Sequence, residues 1–304
     1  MLDKLFTNLL ALLITMLTGA VLAKVKLITP TLRKNLNTLL YYFALPIFVF
    51  NSMRGSITLE LLQTSYYPML FGIGLALING LIAFLATVIW RIDPRERRLF
   101  AFLNMFGNNI YLALPIAQAL FGAQGVAVVL LYSFGSDLIL WSLGQFLLSG
   151  ETRFSLASIK QTINPTLVAL ALGSAAGIAN LWLPPALEIS MDNMASITSP
   201  LALLLTGAAL AEIKLGAGSG AKQAFALFIT KLIISPLIAV GLVSLLPVPG
   251  EMRTIIIILA SMPTFVRSIV LSDRFGWDGQ KTALGVLVTT LGCFITIPII
   301  LQLV

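Results

Sequence analysis

The chain has no histidine, a single cysteine and few charges, and each scarcity closes off a kind of chemistry. Without histidine there is no imidazole proton relay, no triad or dyad built on one, and little scope for zinc. Cys293 stands alone in an apolar run, so the chain can form neither an internal disulfide nor a cysteine-based metal centre. The carboxylates that share an apolar run, Glu188 and Asp192, stand at its outer end, and no G-x-x-x-x-G-K-[ST] loop is present to hold a nucleotide. Neither enzymatic activity nor a cofactor is expected. Charged residues make up 10% of the chain, against roughly 25% in soluble domains.

What fills the chain is apolar. Hydrophobic residues account for 58% and the mean hydropathy is +0.99, in runs of about 20 residues, the length that crosses a bilayer's hydrocarbon core. The runs predict ten spans, at about 6–23, 36–53, 66–90, 99–121 and 124–148, then 165–182, 187–210, 224–246, 253–272 and 280–303. The fold class expected is an all-α polytopic membrane protein. The net charge of +7 would suggest nucleic acid in a soluble protein, but here the basic residues cluster in short loops between spans. Of the 19 Lys and Arg, 14 fall after odd-numbered spans (among them Lys24, Lys26, Arg33, Lys34, Arg91, Arg95, Arg97, Arg98, Arg153, Lys160 and Lys214) and only Lys4, Arg54 and Arg253 on the other side. The positive-inside rule then places those loops in the cytoplasm and both termini outside. The first apolar run continues into a basic loop rather than a small-residue cleavage site, which reads as a first span. A bacterial inner membrane is the expected location, with the lipid bilayer as partner and no nucleic acid.

The chain also reads as written twice, about 154 residues apart. Gly19 matches Gly173, Pro46 matches Pro200, and Phe121-Gly122 matches Phe275-Gly276. A repeat containing five crossings must return inverted, and inverted repeats are a carrier architecture. The expected division is a first five-helix repeat at 1–148, a connector at 149–164 and an inverted second repeat at 165–304. Interruptions are predicted in both halves. In the fourth span Asn108 and Asn109 are followed by Pro115, which leaves carbonyls between Phe106 and Tyr111 without helical partners. In the ninth, Ser261, Pro263 and Thr264 precede Arg267. Paired broken spans point to a binding site, because irregular backbone at membrane depth survives only where it lines a cavity or is buried in protein.

Arg267 and Asp137 are read as charges inside spans. An arginine at a span centre costs roughly 2.5–3.5 kcal/mol on insertion scales, so something must offset it. A substrate carboxylate would do so, and so would Asp137, in the middle of the fifth span. Asp137 itself reads either as half of a permanent pair or as a proton-coupling carboxylate. Lys231 is expected to snorkel to the cytoplasmic edge, and Asp192 and Asn193 to face water. Gly72, Gly74, Asn79 and Gly80 suggest close helix packing, and Asn51 a cavity wall.

Four ordered segments carry a family resemblance. GNNIYLALPIAQALFG resembles the Gly-Asn…Pro…Phe-Gly signature of the auxin efflux carrier family, and NPTLVALALG, SPLALLLTGAALAE and SMPTFVRSIVLSDRFG resemble its sixth, seventh and ninth spans. The resemblance covers essentially the whole chain. It implies ten transmembrane helices in two inverted five-helix repeats, with broken helices 4 and 9 crossing, as in bile-acid–sodium symporters. Helices 1–2 and 6–7 would form a scaffold, and helices 3–5 and 8–10 a transport domain. Substrate-binding residues would be Asn108, Asn109, Tyr111, Pro115, Ser261, Pro263, Thr264 and Arg267, with Asp137 as a coupling residue or charge partner. Ile110 and Ala113 depart from positions where the family often has glycine, and Arg267 from one where a small polar residue is expected.

The function expected is secondary transport of a small organic anion, such as a mono- or dicarboxylate, by alternating access. A sodium-coupled symporter of the bile-acid type is the alternative within transport, and a membrane receptor on the same fold the alternative outside it. Coupling to protons or sodium, and assembly as a homodimer, are left open.

Overall fold

The structure is a computed structural model and describes residues 2–56, 66–149, 164–213 and 220–302. Most of the expected connector, with Arg153 and Lys160, and the loop residue Lys214 lie outside the described residues. The apolar runs form helices, as polar backbone in hydrocarbon demands. In chain order they are α1 (Leu2–Lys24), α2 (Pro30–Ser56), α3 (Tyr66–Ile89), α4 (Arg97–Met105), α5 (Asn109–Ser149) and α6 (Pro165–Ile178). α7 (Pro185–Ala211), α8 (Ala221–Leu245), α9 (Gly250–Ala260), α10 (Ser268–Arg274) and α11 (Gly279–Leu301) follow. Among the described residues, seven helices are long and apolar enough to cross a membrane: α1 from Phe6, α2, α3, α5, α7, α8 and α11.

The difference from ten expected spans has identifiable causes. α5 is 41 residues long and covers two expected runs, joined across Gly122, whose φ of 60° and ψ of −147° are not helical. The fourth and ninth runs are each cut by non-helical backbone, and α6 has only 14 residues. Gly276, the counterpart of Gly122, also takes a positive φ, of 78°. Both matching Phe-Gly pairs therefore place glycine at a positive φ, open to glycine and strained for other residues.

Proline has a consistent local effect. Five-residue π-helical turns at Leu40–Ala44, Asn109–Ala113 and Thr230–Ile234 each end two residues before a proline: Pro46, Pro115 and Pro236. A proline ring collides with the carbonyl four residues earlier, and a widened turn gives that carbonyl room. Pro115 thus widens its helix without severing it; the severance lies farther upstream, at Phe106–Asn108.

The chain divides into two compact units. The first comprises Met1–Tyr66, Ile110–Leu131 and Ile163–Glu212, which hold α1, α2, α6, α7 and the middle of α5. Its helices meet through glycine. A Cβ on Gly19 would strike the Leu204 backbone, one on Gly207 the Met16 backbone, and one on Gly173 the backbone of Phe50. α1 thus lies on α7, and α6 on α2, at backbone contact. Ion pairs tie α2 to α7 near both ends, Arg33 to Glu212 at 2.6 Å and Arg54 to Glu188. Such half-exposed pairs contribute at most about 1 kcal/mol each, so they set register more than stability. Asn51 Nδ2 donates to Asp192 Oδ1 at 2.9 Å, while its Oδ1 is buried without a hydrogen-bond partner among the described residues.

The second unit comprises Tyr67–Asn109, Tyr132–Thr162 and Ile213–Val304. Gly72 abuts the Tyr132 carbonyl and Gly135 the Met69 carbonyl, so α3 and the end of α5 also touch through glycines. Gly74 meets nothing within 4 Å. Glu96, at the start of α4, accepts hydrogen bonds from Gln223 of α8 and Lys281 of α11 and gathers three helix starts. Gly207→Val should lower thermal stability in detergent by about 1–3 kcal/mol, the usual cost of overpacking. Gly74→Ala, with open space beside it, should leave the melting temperature within about a degree; equal losses in both would refute the glycine contact as the packing determinant.

Candidate functional site

The site begins with backbone that has lost its helix. α4 stops at Met105 and Phe106 is extended (φ −116°, ψ 130°). α9 stops at Ala260, and the chain runs irregularly from Ser261 to Arg267 before α10 starts. The two interruptions pair with each other. Gly107 and Thr264 form an isolated antiparallel bridge, and the Asn108 amide donates to the Pro263 carbonyl at 2.8 Å. Each break satisfies part of the other's backbone where water is not at hand. Gly107 permits this approach, because a Cβ there would stand 2.9 Å from Asn109 Oδ1 and 3.0 Å from Met262 Cβ.

Side chains complete the junction. Thr264 Oγ1 donates to the Leu103 carbonyl at 2.9 Å, and Thr289 Oγ1 of α11 accepts from the Thr264 amide at 3.3 Å. Ser261 Oγ returns to the Ile257 carbonyl at 2.8 Å within α9. Ser261 and Thr264 are fully buried, and their hydroxyls hold the junction together. Phe102, Phe106 and Phe265 pack against one another at centroid separations of 5.4–6.3 Å and wall the bridge on its apolar side. Next to these spent groups stand two that are not. Asn108 Nδ2 and Asn109 Oδ1 are buried without a hydrogen-bond partner among the described residues. A donor and an acceptor on consecutive residues can bind a ligand carrying both kinds of group.

Arg267 is not at the centre of a continuous helix. The interruption carries it to the start of α10, where its side chain is exposed. Asp137 is half-buried on α5, and the Arg267 guanidinium acts on its carboxylate electrostatically. Asn108, Asn109, Ser261, Pro263, Thr264, Arg267 and Asp137 all belong to the second unit; Tyr111 and Pro115 belong to the first.

Lys231 overturns its expected role. It is 2% exposed rather than snorkelled, and its Nζ donates to the Asn104 carbonyl at 2.7 Å. It sits on the π-helical turn preceding Pro236, where the widened backbone changes which residues face inward. Beside it, Thr230 Oγ1 donates to Asn104 Oδ1 at 2.6 Å. Pro236 was the available signal, since a proline five residues after a lysine shifts the helical register that the snorkelling reading assumed.

Thr264→Val keeps the shape of the side chain and strands the Leu103 carbonyl, which should cost about 1–3 kcal/mol. Thr264→Ser should stay close to wild type. Thermal unfolding of the three proteins in one detergent checks this, and a stable Val variant would contradict the role given to the hydroxyl.

Comparison with known proteins identifies a family. A family model described as a membrane transport protein matches residues 4–158 and 154–301. An uncharacterized transporter of Methanocaldococcus jannaschii is 22% identical over 268 residues, covering 84% of this chain and 85% of that protein. An uncharacterized transporter of Methanothermobacter thermautotrophicus is 23% identical over 301 residues, covering 95% of each.

Proposed function

The chain belongs to the membrane transport protein family, that of the auxin efflux carriers, and from this premise we propose that it is a secondary carrier of a small organic anion. The observation that carries the proposal is the mutual pairing of the two breaks beside the unspent polar atoms of Asn108 and Asn109, with the Arg267 cation in the same unit. Family membership supports transport; the cation and the amides support the class of cargo. A carboxylate takes charge-assisted hydrogen bonds from a guanidinium, about twice as strong as neutral ones.

In this reading the crossings number ten, in two inverted five-helix repeats. The matched Gly122 and Gly276 conformations support that count, as do the matched glycine contacts of α1 with α7 and α6 with α2. The unit that contains the breaks acts as the transport unit, and the unit in which α2 is tied to α7 at both ends acts as the scaffold. Alternating access follows as the mechanism. Asn108, Asn109 and Arg267 contact the substrate; Ser261, Pro263 and Thr264 hold the paired backbone; Tyr111 and Pro115 shape the start of α5. Asp137 holds Arg267 when no anion is bound and releases it when one arrives. The membrane is the bacterial inner membrane, with the basic loops inside.

The test is a thermal-shift and uptake screen of purified protein against mono- and dicarboxylates and indole acids. An acid that stabilises the wild type should be taken up by proteoliposomes. Arg267→Ala should reduce that uptake on the order of 10- to 100-fold, the worth of one charged hydrogen bond, without lowering the melting temperature of the unliganded protein. Full uptake by the Ala variant would remove Arg267 from the site. Binding without uptake would favour a receptor.

A further inference from the structure

α4 ends inside the second unit, and the last turn of any helix leaves carbonyls that its own amides cannot reach. Two of the α4 carbonyls take donors from far along the chain, Leu103 from Thr264 in the ninth-span break and Asn104 from Lys231 of α8. The second donor is a lysine side-chain nitrogen. The aligned peptides of a helix place roughly half a negative charge at its C-terminus, and the field is strongest where solvent is excluded. Interrupted helices in secondary carriers use such ends, with their loosened carbonyls, to coordinate a sodium ion or a proton. Around the end of α4 the oxygens are those of the Asn104 carbonyl, the Asn104 side-chain amide and the Thr230 hydroxyl. Lys231 Nζ donates to the first of these, and no carboxylate pairs with it among the described residues. A buried cation without an anionic side chain needs another source of negative potential, and the end of α4 supplies one.

We propose that Lys231 is a tethered cation occupying a cation site at the end of α4, so that the protein holds its own ammonium where a coupling sodium ion would otherwise bind. The site is a property of the fold. Only its consequence, transport without sodium, rests on the carrier reading. Because the ammonium is covalently held, it cannot be lost to either side of the membrane, and the junction of α4 with the ninth-span break stays electrostatically satisfied throughout a cycle.

The experiment measures melting temperature in detergent for the full-length protein at constant ionic strength, with sodium, choline or propylammonium chloride. Propylammonium replaces the atoms that Lys231→Ala removes. The wild type should melt at the same temperature in all three salts. Lys231→Ala should melt about 5 °C or more lower in choline. It should recover in a saturable way as propylammonium or sodium is added. A saturable, sodium-specific stabilisation of the wild type would overturn the proposal. So would a Lys231→Ala protein that responds to neither cation. If the Ala variant does not fold, Lys231→Met and Lys231→Arg decide between charge and shape. A stable Arg variant beside an unstable Met variant supports the tethered cation, and a Met variant as stable as the wild type refutes it. These readouts involve no flux, so they fail or succeed independently of whether the protein transports an anion.

Discussion

A polar backbone group in hydrocarbon has no water to turn to, and this constraint governs how the two interrupted helices are built. Each break exposes amides and carbonyls that cost several kcal/mol if left alone. The structure meets the demand by facing one break with the other, through the Gly107–Thr264 bridge and the Asn108–Pro263 hydrogen bond. Two of the α4 carbonyls are met by a threonine hydroxyl and a lysine side chain. Neither interruption would be tolerable without its counterpart, so the two sites of irregularity become one junction. Within it, Asn108 and Asn109 keep polar atoms that the backbone does not use.

The rest of the second unit positions that junction. Glu96 draws together the starts of α4, α8 and α11, and Thr289 of α11 reaches the ninth-span break directly. The first unit is held by different means, glycine contacts between helices and ion pairs toward the two ends of α2 and α7. A rigid frame and a unit organised around a polar junction suit the division of labour assigned to them.

The sequence made much of this legible because its strongest signals act locally. Gly122 and Gly276 were visible as a matched pair and both adopt left-handed backbone, since few other residues do so cheaply. The helix interruptions were visible in Pro263 and in the Asn-Asn pair, and the fourth-span break falls at Phe106–Asn108, within the stretch from Phe106 to Tyr111 expected to lack helical partners. What the sequence hid depends on partners far along the chain. The contact of Lys231 with Asn104 joins residues 127 positions apart. Its direction follows from a π-helical turn that a hydropathy window cannot resolve.

A carrier working by alternating access must return its binding site across the membrane, and it returns faster with cargo than without. Counterflow reads this property directly. Proteoliposomes loaded with an excess of a stabilising carboxylate and then diluted into a trace of the same labelled acid should accumulate label transiently above its equilibrium level. That overshoot is the predicted result. Label that equilibrates monotonically, at the rate of empty vesicles, would contradict the account and leave the paired breaks as a ligand-binding structure without a transport cycle.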